Sequence, residues 1–254
     1  MIAGRLELAD AQLDSPLGRT SPVVKLAIAL LWLGGLAFTL QPLPPLILAV
    51  VALTAGTVLG AIPPRTFART LAPLWIAAVT VGLSNMLFSA SNGDPAAAEL
   101  LSLGGIRITQ QAAANGVALM LRVAAIACVG AVFSLTTDST RLADALVQQA
   151  RVSARFAYGA LAAYQSIPRF AEDLTTLRQA RRIRGLRGGW HPRLLVGLLV
   201  LAIRHGDRMA LSMDARAFGS GPRTHYRELR WRWLDAIVGI GAVLVLAVAL
   251  ALGR

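Results

Sequence analysis

The chemistry open to this sequence is mostly that of arginine. Arg181, Arg182, Arg184 and Arg187 crowd the stretch QARRIRGLRGG at residues 179–189, and Arg216 stands in MDARAFGSGPRTHY at 213–226. A guanidinium presents a planar fork that binds a carboxylate through two bonds and keeps its charge when desolvated, so such a residue suits entry into an acidic groove. An arginine in the last turn of a helix also complements the helix dipole for about 0.3–1 kcal/mol, which is account enough for Arg182 and Arg187. Other chemistries lack their parts. Cys128 is the single cysteine and the three histidines are scattered, so neither a disulfide framework nor a metal-ligand cluster is expected. The one lysine, Lys25, follows TSPVV rather than a glycine-rich loop, which excludes a phosphate-cradling P-loop. No catalytic, metal or cofactor-binding residues are expected.

The elements that must hold these arginines belong to a membrane protein. Mean hydropathy is +0.60, and only 15% of the 254 residues are charged, too apolar for a soluble domain. Five apolar runs, about 22–41, 44–62, 70–91, 112–135 and 233–253, reach the roughly 20 residues that cross a bilayer. QPLPPL between the first two carries no charge, whereas PPRTFAR at 63–69 carries Arg65 and Arg69. The next connection, with Asp94, Glu99 and Arg107, leans acidic, and the stretch after Asp138 is rich in arginine. Positive charge collects on the cytoplasmic side, which predicts an inside N-terminal tail at 1–21, inside loops at 63–69 and 136–232, and an outside C-terminus. The net charge of +12 then sets orientation and implies a lipid bilayer, not nucleic acid, as partner. The first apolar run is long enough to span and follows mixed polar residues, so no removable signal peptide is expected.

The resulting expectation is an all-α integral membrane protein. Its parts are a tail at 1–21, four transmembrane helices within 22–135, a cytoplasmic region at 136–232 and a last span at 233–254. The long insert before the last span carries its own pattern. TTDSTRLADAL opens a helix to about Gln149, with Thr137 or Asp138 as cap. Phe156, Ala160, Ala163, Ile167, Phe170, Leu174 and Leu177 then recur in steps of four and three, one apolar seam on a long helix that Pro168 should kink or split. After GGWHP, the residues Leu195, Leu199, Ala202, Gly206, Met209 and Met213 repeat those steps. Continued, the first seam reaches Arg181 and Arg184 and the second reaches Arg216, each near a glycine stop, Gly185 or Gly219. Periodicity leaves Arg181 and Arg184 undivided.

Across nearly the whole chain from the first apolar run, the sequence resembles the transmembrane T component (EcfT/CbiQ-like) of energy-coupling factor (ECF) type ABC transporters. The resemblance is most specific at RIT (107–109), LTT (135–137), IPRFAEDLTTLRQARRIRG (167–185) and MDARAFGSGPRTHY (213–226). It implies two alanine-arginine-glycine-like motifs at the ends of cytoplasmic coupling helices, each arginine meeting one of two ABC ATPase subunits, alike or different. Ile183, Arg184 and Gly185 take the place of the first motif, and Ala215, Arg216 and Ala217 that of the second. They depart from the usual form in Ile183 and in Ala217. The resemblance selects Arg184 over Arg181. It further implies that ATP is bound by the ATPases, with no cofactor in this chain, and that motion passes to a separate substrate-capture S component importing a vitamin or metal ion. The chain would be no enzyme and would sit in the cell membrane.

Several residues fall outside those motifs. Arg122, near the middle of the fourth span, costs at least about 2.5 kcal/mol to insert and must face protein or water, at a structural or an interface site. Gly56 and Gly60 form a GxxxG match in span two, a pattern of internal packing or of an intramembrane interface. Asp207 and Asp214 read as intrahelical ion-pair partners of Arg204 and Arg208, and His191, His205 and His225 as helix-entry or surface residues. Two rival classes are weak: a membrane enzyme would show paired acidic motifs or a nucleophile, and a self-sufficient secondary transporter would show repeats and broken helices.

Overall fold

The computed structural model describes residue 12 and residues 14–39, 41–93, 98–103, 106–186, 191–221 and 227–253. Arg187, Asp94, His225 and most of GPRTHY lie outside these residues. The chain forms two compact units, one of residues 1–142 with 230–254 and one of residues 143–229. The architecture is almost wholly helical, as expected for the fold class.

The first unit is a helical bundle. After the single turn α1 (Pro16–Arg19) come α2 (Pro22–Ala37), α3 (Leu43–Thr54), a π-helical turn (Ala55–Leu59), α4 (Pro64–Leu87), α5 (Gln110–Thr136) and α10 (Trp233–Leu252), α10 being separated in sequence by the second unit. Helices at Pro64–Gly93, Gln110–Thr136 and Trp233–Leu252 are long and apolar enough to cross a membrane. Pro22–Ala37 and Leu43–Leu59 are apolar but shorter; 16 residues of α2 rise about 24 Å. Ile76, Val58 and Ile240 are exposed, as lipid-facing side chains are, while Leu36, Leu48, Phe67, Ala125 and Cys128 fill the core. Trp32 Nε1 donates to the Ala242 carbonyl at 3.0 Å, tying α2 to α10.

Three details refine the sequence reading. The loop expected at 63–69 is shorter, because Pro63 and Pro64 start α4, with Pro64 at a position whose missing N–H costs nothing. Arg65 and Arg69 are therefore helical. The end of the expected tail is not free, since Leu17 and Thr20 are buried and Arg141 Nη1 donates to the Gly18 carbonyl at 2.9 Å. The connection before α5 holds a two-stranded antiparallel hairpin, β1 (Glu99–Leu103) and β2 (Ile106–Thr109), braced by an Arg107–Glu99 ion pair at 2.5 Å. It delivers Thr109 as N-cap of α5, the hydroxyl accepting from Ala112 N.

Helix α6 (Ser139–Gln148) runs from the first unit into the second. Asp138 caps it, accepting from Arg141 N at 3.0 Å, which resolves the choice between Thr137 and Asp138. The rest of the second unit is α7 (Ala154–Gln165), α8 (Ile167–Ile183) and α9 (Pro192–Ala215). The helix expected to kink or split at Pro168 divides at Ser166, whose hydroxyl donates to the Ala162 carbonyl at 2.8 Å.

Candidate functional site: two arginine-tipped helix ends

Helices α8 and α9 pack against each other in opposite directions. Phe170 meets His205 edge-on with ring centroids 6.2 Å apart, and a Cβ on Gly197 would lie 3.4 Å from Leu177 Cδ1. Rising numbers in α8 thus meet falling numbers in α9, so the two C-terminal ends point to opposite ends of the pair. At 24 residues, α9 is about 36 Å long.

Each end closes in the same way. Beyond α8, Arg184 is the C-cap, Gly185 takes φ +74°, Gly185 N donates to Arg182 O at 3.0 Å and Leu186 N to Arg181 O at 3.2 Å. Beyond α9, Arg216 is the C-cap, Ala217 takes φ +51°, Ala217 N donates to Asp214 O at 2.9 Å and Phe218 N to Met213 O at 2.9 Å. Both are Schellman motifs, with a left-handed residue after the cap and the paired bonds that satisfy the helix's last carbonyls. Arg184 and Arg216 occupy equivalent positions, and both are exposed. Ile183 beside the first is 87% exposed, so its apolar side chain is presented outward with the arginine. Ala215 too is exposed. The left-handed residue that ends the second helix is Ala217, two residues before the expected Gly219, which makes a further left-handed turn at φ +82°.

Arg181 lies one turn back from Arg184 and is half-buried, its Nε enclosed without a hydrogen-bond partner among the described residues, as is that of Arg178. The apolar seams differ from the expected ones. Phe170, Leu174, Leu177 and Arg181 do share the inward face of α8, but Phe156, Ala160, Ala163 and Ile167 are exposed, because the break at Ser166 resets the helical phase. In α9 the inward line is Leu194, Leu198, Leu201, His205, Met209 and Met213, while Leu195, Leu199 and Gly206 face outward. PRLLVGLLVLAI is apolar almost all round, so a step count alone could not choose its face. His205 is packed against Phe170 rather than at the surface, whereas His191 is the helix-entry residue expected, its Nδ1 accepting from Arg193 N at 3.1 Å. Among the described residues no ion pair joins Asp207 or Asp214 to Arg204 or Arg208; Arg208 Nε donates to the Arg204 carbonyl instead.

The second tip is held by residues that sequence reasoning passed over. Tyr158 on α7 packs edge-on against Phe218, centroids 6.2 Å apart, and its hydroxyl donates to Asp144 Oδ1 at 2.8 Å. Burial first, then that bond and the Asp144 charge, push the Tyr158 phenol up to about 12. Arg155 donates to the Gly219 carbonyl at 3.3 Å. Gln148 grips the returning chain, its amide donating to Arg227 O at 2.8 Å and accepting from Leu229 N at 2.9 Å.

In the bundle, Gly56 is buried in the π-helical turn, where a Cβ would lie 2.8 Å from Val132 Cγ2; at Gly60 it would meet Gly56 O at 2.6 Å and Thr136 Cγ2 at 3.1 Å. The close approach these glycines allow is therefore to this chain's own helices. Arg122 is half-buried on α5, its Nε enclosed with no hydrogen-bond partner among the described residues.

Comparison with known proteins decides the family. The profile of the CbiQ cobalt transport proteins matches residues 14–226. The chain belongs to that family. It is similar to the energy-coupling factor transporter transmembrane protein EcfT of Lactococcus lactis subsp. cremoris, 26% identical over 91% of each chain. The corresponding protein of Limosilactobacillus fermentum is 28% identical over 95% of this chain and 94% of its own. A putative ABC transporter ATP-binding protein of Bifidobacterium longum is 27% identical over 80% of this chain and 28% of its own length. Membership of the CbiQ family makes this chain a membrane component of a transporter, as the motif resemblance implied.

Proposed function

We propose that this chain is the coupling subunit of an ECF-type importer: it binds two ABC ATPase subunits through Arg184 and Arg216 and passes their motion to a separate substrate-capture membrane subunit. The carrying observation is the antiparallel α8–α9 pair with an exposed arginine in the same capped position at each end. Two equivalent tips facing apart suit two equivalent grooves on a pair of ATPases. A rigid C-cap fixes each guanidinium's origin, so less freedom is lost on docking. When ATP draws the ATPases together, α8 and α9 shift against each other along their shared seam, as packed helices do in shear motions. A relative that is named as an ATP-binding ABC protein and matches this chain over part of its length supports the link to ATPases. ATP stays on those partners, and this chain performs no catalysis.

The outward apolar residues of α9, Leu195, Val196, Leu199, Val200, Ile203 and Leu211, give the capture subunit a surface to rest on. That subunit carries the substrate, a vitamin or a metal ion. The chain sits in the cell membrane with five passes, α2, α3 with its π turn, α4, α5 and α10, N-terminus inside.

The test is charge reversal. Arg184→Glu and Arg216→Glu should each weaken capture of the ATPase pair by about 2–5 kcal/mol, the usual cost of losing a desolvated interfacial charge. The double variant should lose uptake, while Arg182→Ala keeps both. Capture of both ATPases and wild-type uptake by the double variant would falsify the reading.

A further inference from the structure

A second set of charged residues, in the bundle, is not explained by the helix tips. Asp235 is only 3% exposed, and Lys25 only 7%. Burying an ion is costly unless it is bonded, and both are. Asp235 sits in the first turn of α10, where Oδ2 accepts from the N-cap backbone, Arg232 N, at 2.8 Å. Its other oxygen reaches outside the helix and accepts from Ser21 N at 2.6 Å. The Ser21 carbonyl accepts from Lys25 N at 3.2 Å in the first turn of α2. Lys25 Nζ then donates to the Thr136 carbonyl at 2.7 Å, at the last residue of α5. Lys25 Nζ also lies 3.5 Å from the Thr136 hydroxyl, and the Lys25 stem lines an apolar crevice of about 290 Å³ with Trp32, Ala52 and Val132.

These bonds form one path: α10 start, Asp235, Ser21, Lys25, α5 end. Its two termini flank the second unit in sequence, because the chain leaves the bundle soon after Thr136 and returns shortly before Asp235. Arg141, beside the exit, adds a strand by donating to Gly18 O at 2.9 Å.

We propose that the first turn of α2, through Lys25 and Asp235, is a tie that holds the exit and the return of the coupling unit together, so that its displacement moves the bundle instead of spreading the two connections. Lys25 and Asp235 are positioning residues; they touch neither ATPase nor cargo. The proposal rests on the coupling reading above.

The experiment reconstitutes the full complex, with both ATPases and the capture subunit, from Lys25→Met, Asp235→Asn and the double variant. Each single variant should keep ATP hydrolysis per assembled complex while uptake falls roughly tenfold. Because the links act in series, the double variant should transport no worse than either single one, whereas independent destabilisations would multiply. Hydrolysis and uptake falling together, unchanged uptake, or multiplied losses would each overturn the tie. Amide hydrogen exchange on the purified chain is the second arm. Asp235→Asn should speed exchange at Ser21 and Arg232, and Lys25→Met should speed it at residues 139–142; unchanged exchange in both overturns the tie. If the wild-type chain captures no ATPase, the coupling reading fails and the exchange arm alone judges the tie.

Discussion

The two tips share a capping arginine but differ in the residue after it, and that difference has a measurable consequence. Gly185 and Ala217 stand at the same position after the C-cap, both at positive φ. A Cβ in the left-handed region costs about 1–2 kcal/mol, partly offset by the chain entropy that glycine loses. Ala217→Gly should therefore raise the stability of the second unit by about 0.5–1 kcal/mol, and Gly185→Ala should lower it by about as much. Among the described residues nothing would lie within 4 Å of a Cβ on Gly185, so its cost there is the backbone's. Thermal unfolding of the purified chain reads both, and equal shifts of one sign would refute the account. Tyr158 offers a second residue-scale check. Its folded pKa, about 12, lies above the usual phenol value of 10, so the native state holds the proton more tightly. Its contribution to stability is complete below pH 10 and is lost as pH rises from there through 12. Phenolate absorbance should show a late titration near 12 that Tyr158→Phe abolishes; a profile unchanged by that substitution would dismiss it.

At the scale of elements, helices α4 and α5 meet through paired glycines. A Cβ on Gly82 would lie 2.9 Å from Gly116 O, and one on Gly116 would lie 2.8 Å from Gly82 O, so the two backbones touch. Small residues let membrane helices gain dispersion contact where no hydrophobic force draws them together. Gly82→Leu or Gly116→Leu should cost about 1–3 kcal/mol or prevent folding, while Gly130→Leu, with open space around it, should be tolerated. Folded yield in detergent and melting temperature measure this; equal tolerance at all three positions would contradict it. The pair was illegible in the sequence, because Gly82 and Gly116 belong to different helices and no local spacing joins them. GxxxG in span two was visible, yet spacing could not show that its neighbours are Val132 and Thr136. Helix existence, a cap at Thr137 or Asp138 and a kink or split at Pro168 were legible because they are local; the choice of Asp138 was not. The inward face of α9 was not, since an apolar circumference leaves register to tertiary packing. Lys25 and Asp235 left a faint signal: a lone lysine in a span and an acid at a span's mouth.

For the whole molecule, the proposed orientation rests on charge more directly than on helix length. Arg65 and Arg69 begin α4, and the second unit carries most of the arginines that follow, whereas the connection before α5 balances Glu99 against Arg107 in a direct ion pair. An ion pair in a hairpin exerts little net pull toward either side, while unbalanced arginines resist translocation. The proposed orientation accordingly puts the second unit and the 60–63 connection on the cytoplasmic face and, with an odd number of passes, the end of α10 outside. The pass count depends on α2 and α3, which are short for a bilayer of about 30 Å and need local thinning or polar flanks to cross. Cys128 is buried, so cysteine labelling in a Cys128→Ala background can decide the matter. Leu252→Cys should react with a membrane-impermeant maleimide on intact cells, and Leu186→Cys only after permeabilisation. Both sites are exposed in the fold, so silence cannot be blamed on burial within the protein. Labelling of Leu186→Cys from outside would invert the molecule and remove its arginine tips from any cytoplasmic ATPase. Leu252→Cys and Leu186→Cys reacting from the same side would instead show an even count of passes between the two units' ends, and α10 would not cross.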